Sequence, residues 1–135
     1  MTDKPEQKDR PVVLVVEDHE DTRFMLRMIL EREGYVMLEA ADGSEGVKTA
    51  ISRRPDLVLM DSSLPRLDGL SATRLIREQE SLRDVPIVIL SGHIGAEFQA
   101  AARAAGCAAY LTKPLDFNEF RSTLTRLLPS YTRAV

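Results

Sequence analysis

Two short apolar runs that end in acid constrain this chain most. Val12-Val13-Leu14-Val15-Val16 runs into Glu17-Asp18, and Leu57-Val58-Leu59-Met60 runs into Asp61. Neither run alternates with polar residues. Each therefore reads as a strand covered on both faces, the habit of parallel sheets. Leu64-Pro65 and Asp68-Gly69 follow as turn signals, so the chain leaves the sheet soon after Asp61. A buried strand that delivers a carboxylate to a loop is a common way to build a site in an open α/β sheet. A carboxylate that only caps a turn would look the same, and this stretch alone does not separate the two.

Further runs of the same kind alternate with helical patterns. A helix is expected from Thr22 to Glu33, with Met25, Leu26, Ile29 and Leu30 on one side and Gly34 as its stop. Tyr35 to Glu39 reads as the second strand, and Gly43 to Arg54 as the second helix with Val47, Ala50 and Ile51 inward. After strand three, a third helix is expected from Leu70 to Glu80 with Leu75 and Ile76 inward. Strand four is Ile87 to Leu90, followed by Ser91-Gly92-His93 and an alanine-rich helix over Ala96 to Ala105. Strand five, Ala108 to Leu111, ends at Thr112-Lys113-Pro114. The fifth helix, Asp116 to Leu128, carries Phe117, Phe120, Leu124, Leu127 and Leu128 at helical spacing. Asp116 and Glu119 have the spacing of a capping box. Five strands alternating with five helices predict one α/β domain with a mainly parallel sheet; a doubly wound sheet in the order 2-1-3-4-5 is the arrangement that would set strands one and three side by side. The domain is expected over residues 11–129, between polar tails at 1–10 and 130–135, with no room for a second.

Composition excludes several classes. The net charge of −3 and the scattered Lys and Arg give no footprint for direct nucleic-acid binding. No apolar run approaches the ~20 residues of a membrane helix. The polar N-terminus lacks a signal-peptide core. The single cysteine, Cys107, rules out an internal disulfide and reads as a small buried apolar residue among alanines. These features fit a cytoplasmic protein.

In a parallel sheet all strand C-termini share one edge, and ligands bind there. With strands one and three adjacent, Glu17, Asp18 and Asp61 converge. Three neighbouring carboxylates repel unless a cation joins them. A hard divalent ion, Mg²⁺ or Mn²⁺, suits oxygen donors of this kind. Strand four adds the Ser91 hydroxyl and strand five the Lys113 ammonium. Such a pocket suits a phosphoryl group, with Asp61 as the nucleophile that takes it as an acyl phosphate. His19 and His93 have no Cys or His partner at metal-site spacing, so neither reads as a ligand. Asp42, Asp68 and Glu97 read as turn or surface residues.

At these residues the chain resembles the receiver domain of two-component response regulators, here of the single-domain type, over Val12 to Leu128. The resemblance rests on Glu17-Asp18 after an apolar strand, Asp61 with Leu64-Pro65 and Asp68-Gly69 downstream, Ser91 after strand four, and Lys113-Pro114 after strand five. It implies a flavodoxin-like (βα)5 fold and a phosphorylation-dependent switch. Asp61 would be the phospho-acceptor. Glu17 and Asp18 would bind Mg²⁺ with Asp61 and the backbone carbonyl of Ser63. Lys113 would pair with the acyl phosphate, with a cis bond to Pro114. Ser91 would move to the phosphoryl group and Tyr110 would rotate with it. Ser63 and His93 would border the line of attack by water and tune dephosphorylation. The phosphoryl donor would be a histidine kinase or a histidine phosphotransfer protein. The output would leave through the face of helix four, strand five and helix five to a downstream protein. Such a protein catalyses its own phosphorylation and dephosphorylation but is chiefly a signalling molecule.

Rival readings are weaker. A flavin carrier on this fold needs hydroxyls and amides in the first loop, which here is Glu17-Asp18-His19-Glu20-Asp21. A dinucleotide enzyme needs a glycine-rich turn after strand one, which is missing. An aspartyl phosphatase usually carries a second Asp two positions on, where this chain has Ser63. The serious alternative is a non-phosphorylated pseudo-receiver interaction module, and the complete acidic site argues against it.

Overall fold

Five parallel strands lie side by side in the order β2-β1-β3-β4-β5. They are β1 Val12–Val16, β2 Val36–Ala40, β3 Leu57–Asp61, β4 Ile87–Ser91 and β5 Ala109–Thr112. Between and after them run α1 Glu20–Arg32, α2 Gly43–Arg53, α3 Gly69–Glu78, α4 Ala96–Ala105 and α5 Phe117–Leu127, with a short 3-10 turn at Glu80–Leu82. The computed structural model describes residues 10–128. Apart from Arg10, the tails expected at 1–10 and 130–135 lie outside the described residues.

The continuous apolar strands make sense because helices cover both faces of the sheet. Leu14, Val16, Val58, Met60, Ile87 and Ile89 face one layer, where Ala50, Ala72, Ile76, Ala102 and Ala105 cover them from α2, α3 and α4. Val13, Val15, Leu57, Leu59, Val88 and Leu90 face the other, under Leu26 and Leu30 of α1 and Phe120 and Leu124 of α5. Alternation along each strand thus survives as alternation between two apolar layers.

Helix limits follow local chemistry. α1 starts at Glu20, two residues before the expected Thr22, with Glu20 and Asp21 in its first turn. Acids there complement the positive end of the helix dipole. Asp42, Asp68 and Asp116 cap α2, α3 and α5, each accepting backbone N–H bonds from the first turn. Asp116 accepts from both Asn118 and Glu119. β2 runs one residue later than expected, β3 takes in Asp61, β4 takes in Ser91, and β5 spans Ala109–Thr112 rather than 108–111.

Four residues expected to face inward are substantially exposed: Met25, Ile51, Leu75 and Phe117. In each helix the buried stripe is centred elsewhere, on Leu26 and Leu30, Ala50, Ile76, or Phe120 and Leu124. The four lie at the stripe's edge and are 38–49% exposed. Cys107 is half-buried against the α2–α4 layer, and burial raises its thiol pKa, in keeping with a packing role.

Candidate functional site

Register brings the predicted acids together. Val16 pairs with Met60 in the parallel β1–β3 ladder, so Glu17 and Asp61 stand one step further along at the same edge. The edge is tied by backbone bonds: Glu17 N–H donates to Ala40 O at 3.0 Å, Ser62 N–H to Leu90 O at 3.0 Å, and Lys113 N–H to Ser91 O at 2.8 Å. The last bond sets Lys113 beside the end of β4, and the Lys113–Pro114 peptide bond is cis. Gly69 lets the start of α3 press against this edge. A Cβ there would lie 2.2 Å from Asp61 O and 2.8 Å from Ser62 Cα, so a side chain is excluded.

The side chains converge as the pattern of strand ends requires. Glu17 is 1% exposed and Asp61 2%. Lys113 Nζ reaches both, at 3.2 Å from Asp61 Oδ1 and 3.6 Å from Glu17 Oε1. Asp61 Oδ1 also accepts from the backbone N–H of Ser63 at 3.2 Å. Burial pushes the Glu17 pKa up and Asp61 adds to this, while hydrogen bonds from His19 and the charge of Lys113 oppose it. Among the described residues, Glu17 Oε1 and Asp18 Oδ1 are buried without a hydrogen-bond partner. Unsatisfied buried carboxylate oxygens are costly and call for a cation.

His19 was not expected in this group, yet its ring joins it. Its Nδ1 lies 2.9 Å from Glu17 Oε2 and 3.3 Å from Asp18 Oδ1. The hydrogen bond to Glu17 and the charge of Asp18 raise its pKa. Potential ligand atoms of Glu17, Asp18, His19 and Asp61 all lie within 4.8 Å of one another. Sequence spacing gives His19 no Cys or His partner, whereas its place directly after two acids folds the ring back on them. The donor set, mainly carboxylate with two orphaned oxygens, fits a hard divalent cation.

Ser91 and Tyr110 sit at the neighbouring strand ends. Ser91 is fully buried, and its Oγ accepts from Ser62 Oγ at 2.8 Å and from the backbone N–H of His93 at 3.0 Å. Tyr110 Oη donates to His93 O at 2.6 Å. The His93 ring stacks on Phe98 with centroids 4.4 Å apart, and Phe98 meets Tyr110 edge-on at 6.0 Å. Ser63 is exposed. Ser62 was missed by sequence reasoning. Its only signal was a polar residue directly after an acid-ended apolar strand.

Residues 13–125 match the family model of the response regulator receiver domain. The chain belongs to that family. Among curated proteins, this receiver domain is 32% identical over 116 residues to the polar-differentiation response regulator DivK of Brucella anthropi, covering 86% of this chain and 94% of that protein. Among solved structures, it resembles the receiver domain of a sensor histidine kinase from Pseudomonas aeruginosa PAO1. The identity there is 37% and the TM-score 0.83, with 90% of this chain and 99% of the other covered. That structure is described with a magnesium ion coordinated in its active site cleft. The chemotaxis protein CheY4 of Vibrio cholerae is 29% identical with TM-score 0.83, over 88% of this chain and 99% of that one. The fold with its 2-1-3-4-5 sheet is shared with these two solved structures, and the chain is a receiver domain of the two-component response-regulator type. No helix among the described residues is long and apolar enough to cross a membrane.

Proposed function

We propose that this receiver domain, over residues 11–129, is a phosphorylation-dependent switch whose acceptor is Asp61. The supporting observation is the position of Lys113 Nζ, within 3.6 Å of two buried carboxylates from two different strands. A single ammonium cannot neutralise Glu17, Asp18 and Asp61 together, which leaves room for one divalent cation. Asp18, Asp61, Glu17 and the backbone carbonyl of Ser63 would hold Mg²⁺ or Mn²⁺. When bound, that ion supplies charge neutralisation for the transferring phosphoryl oxygens.

An Asp61 carboxylate oxygen attacks phosphorus, the bond from phosphorus to the donor's histidine nitrogen breaks, and the nitrogen keeps the electron pair. Lys113 offsets the charge that builds on the phosphoryl oxygens. Ser91 turns to donate a hydrogen bond to them, and Tyr110 shifts with it. Ser63 and His93 border the approach of the water that later cleaves the acyl phosphate. The donor is a histidine kinase or a histidine phosphotransfer protein, in the cytoplasm. The output surface is α4, β5 and α5, and the change there is a shift between two populations.

The test is labelling with acetyl phosphate, read by intact mass. Wild type should gain one phosphoryl group with Mg²⁺ and none with excess chelator. Asp61→Asn should gain none. Wild type that stays unlabelled with Mg²⁺ would instead support the pseudo-receiver module, and full labelling of Asp61→Asn would overturn the assignment.

A further inference from the structure

Ser62 is a buried polar residue beside the acceptor with no part in the chemistry above. Its hydroxyl donates to Ser91 Oγ at 2.8 Å. The register explains the meeting. Asp61 pairs with Leu90 in the β3–β4 ladder, so Ser62 stands opposite Ser91 one step on. Opposed residues of neighbouring parallel strands share a face, and successive residues of a strand alternate faces. Ser62 and Asp61 therefore point to opposite sides of β3. A Ser91 hydroxyl bonded to Ser62 is held on the side away from Asp61.

Among the described residues, Ser91 Oγ makes two hydrogen bonds and accepts in both, from Ser62 Oγ–H and from His93 N–H. A phosphoryl group on Asp61 lies on the other side of β3 from Ser62, so Ser91 reaches it only if its side chain turns and releases Ser62.

We propose that Ser62 is a positioning residue that latches Ser91 in the resting conformation and so sets the switching equilibrium. This rests on the reading of Asp61 as phospho-acceptor. The latch works by stabilising one of two states, and a ligand of the other state then binds more weakly in proportion. Ser62 makes no contact with the phosphoryl group in either state. Its influence passes wholly through Ser91.

The experiment titrates beryllofluoride, a phosphoryl mimic, in the presence of Mg²⁺ into wild type, Ser62→Ala, Ser91→Ala and the double variant. A net neutral hydrogen bond corresponds to roughly a fivefold change in an equilibrium. Ser62→Ala should therefore bind the mimic about fivefold more tightly, with unchanged Mg²⁺ affinity. The His93 amide resonance, which reports the acceptor Ser91, should move in mimic-free Ser62→Ala toward its mimic-bound position. In the Ser91→Ala background, Ser62→Ala should change nothing. Weaker or unchanged mimic binding by Ser62→Ala would overturn the latch. So would tighter binding that persists without Ser91, since that is a packing effect. Failure of wild type to bind the mimic at all would count against the acceptor reading and separates the two failures.

Discussion

Lys113 Nζ stands 3.2 Å from Asp61 Oδ1, and it meets this carboxylate from a strand two places away in the sheet. The backbone bond from Lys113 N–H to Ser91 O fixes that approach. Lys113→Ala should leave Asp61 and Glu17 facing each other without the ammonium. The rate of phosphorylation by acetyl phosphate at saturating Mg²⁺ should fall by about 10²-fold, the usual effect of deleting one group that stabilises transition-state charge. A rate near that of wild type would remove Lys113 from the chemistry.

Asp68 caps α3 by accepting from Ser71 N–H and Oγ–H, each at 2.9 Å. These bonds hold its carboxyl below the ordinary aspartate value of 3.8, with the Ser71 backbone N–H as the largest cause. A depressed acid stabilises the fold fully above its unfolded pKa and loses that contribution as pH falls through the folded one. Asp68→Ala should cost about 1 kcal/mol at neutral pH, and the gap from wild type should close below pH 3.8. Asp68→Asn should retain most of the cap with no such pH dependence. Urea unfolding at several pH values measures both.

Arg77 of α3 ties two other segments to that helix. Its Nε donates to Gly106 O and its Nη1 to Leu82 O, each at 2.9 Å. Gly106 ends α4 with φ +111°, and a Cβ there would lie 2.7 Å from Arg77 Cγ. Arg77→Ala should leave both carbonyls without this donor and cost about 2 kcal/mol. Gly106→Ala should be destabilising even in the Arg77→Ala background, because the positive φ remains after the steric clash is gone. Denaturant midpoints of the two single variants and the double variant decide this.

The other end of α4 is held differently. Gly95 gives it no side-chain cap, and the ring of Phe98 packs on His93 and Tyr110. Phe98→Ala should raise amide exchange at residues 94–100 while α1 and α5 keep their protection. Uniform loss of protection across the domain would show that Phe98 serves global stability instead.

The fold was legible because two apolar layers make β1, β3 and β4 apolar up to their ends, and each of those ends then stands out as the first polar residue. Glu17, Asp61 and Ser91 were visible for that reason, and Lys113 by its place between the short fifth strand and Pro114. The limits of burial were less so. Helical periodicity locates the centre of a buried stripe, as at Leu26 and Leu30. Whether Met25 or Phe117 at its edge is covered depends on a helix distant in sequence. His19 and Ser62 were hidden because their roles arise from contacts, a ring folded back on two preceding acids and a hydroxyl facing its register partner. Neither contact leaves a periodic trace.

The most direct measurement of the central claim is the location of the phosphoryl group itself. Protein treated with acetyl phosphate and Mg²⁺ is reduced with borohydride, which converts an aspartyl phosphate to homoserine, and the peptides are sequenced by mass spectrometry. The account predicts homoserine at position 61 and unmodified Glu17 and Asp18. Homoserine elsewhere with Asp61 intact would contradict it.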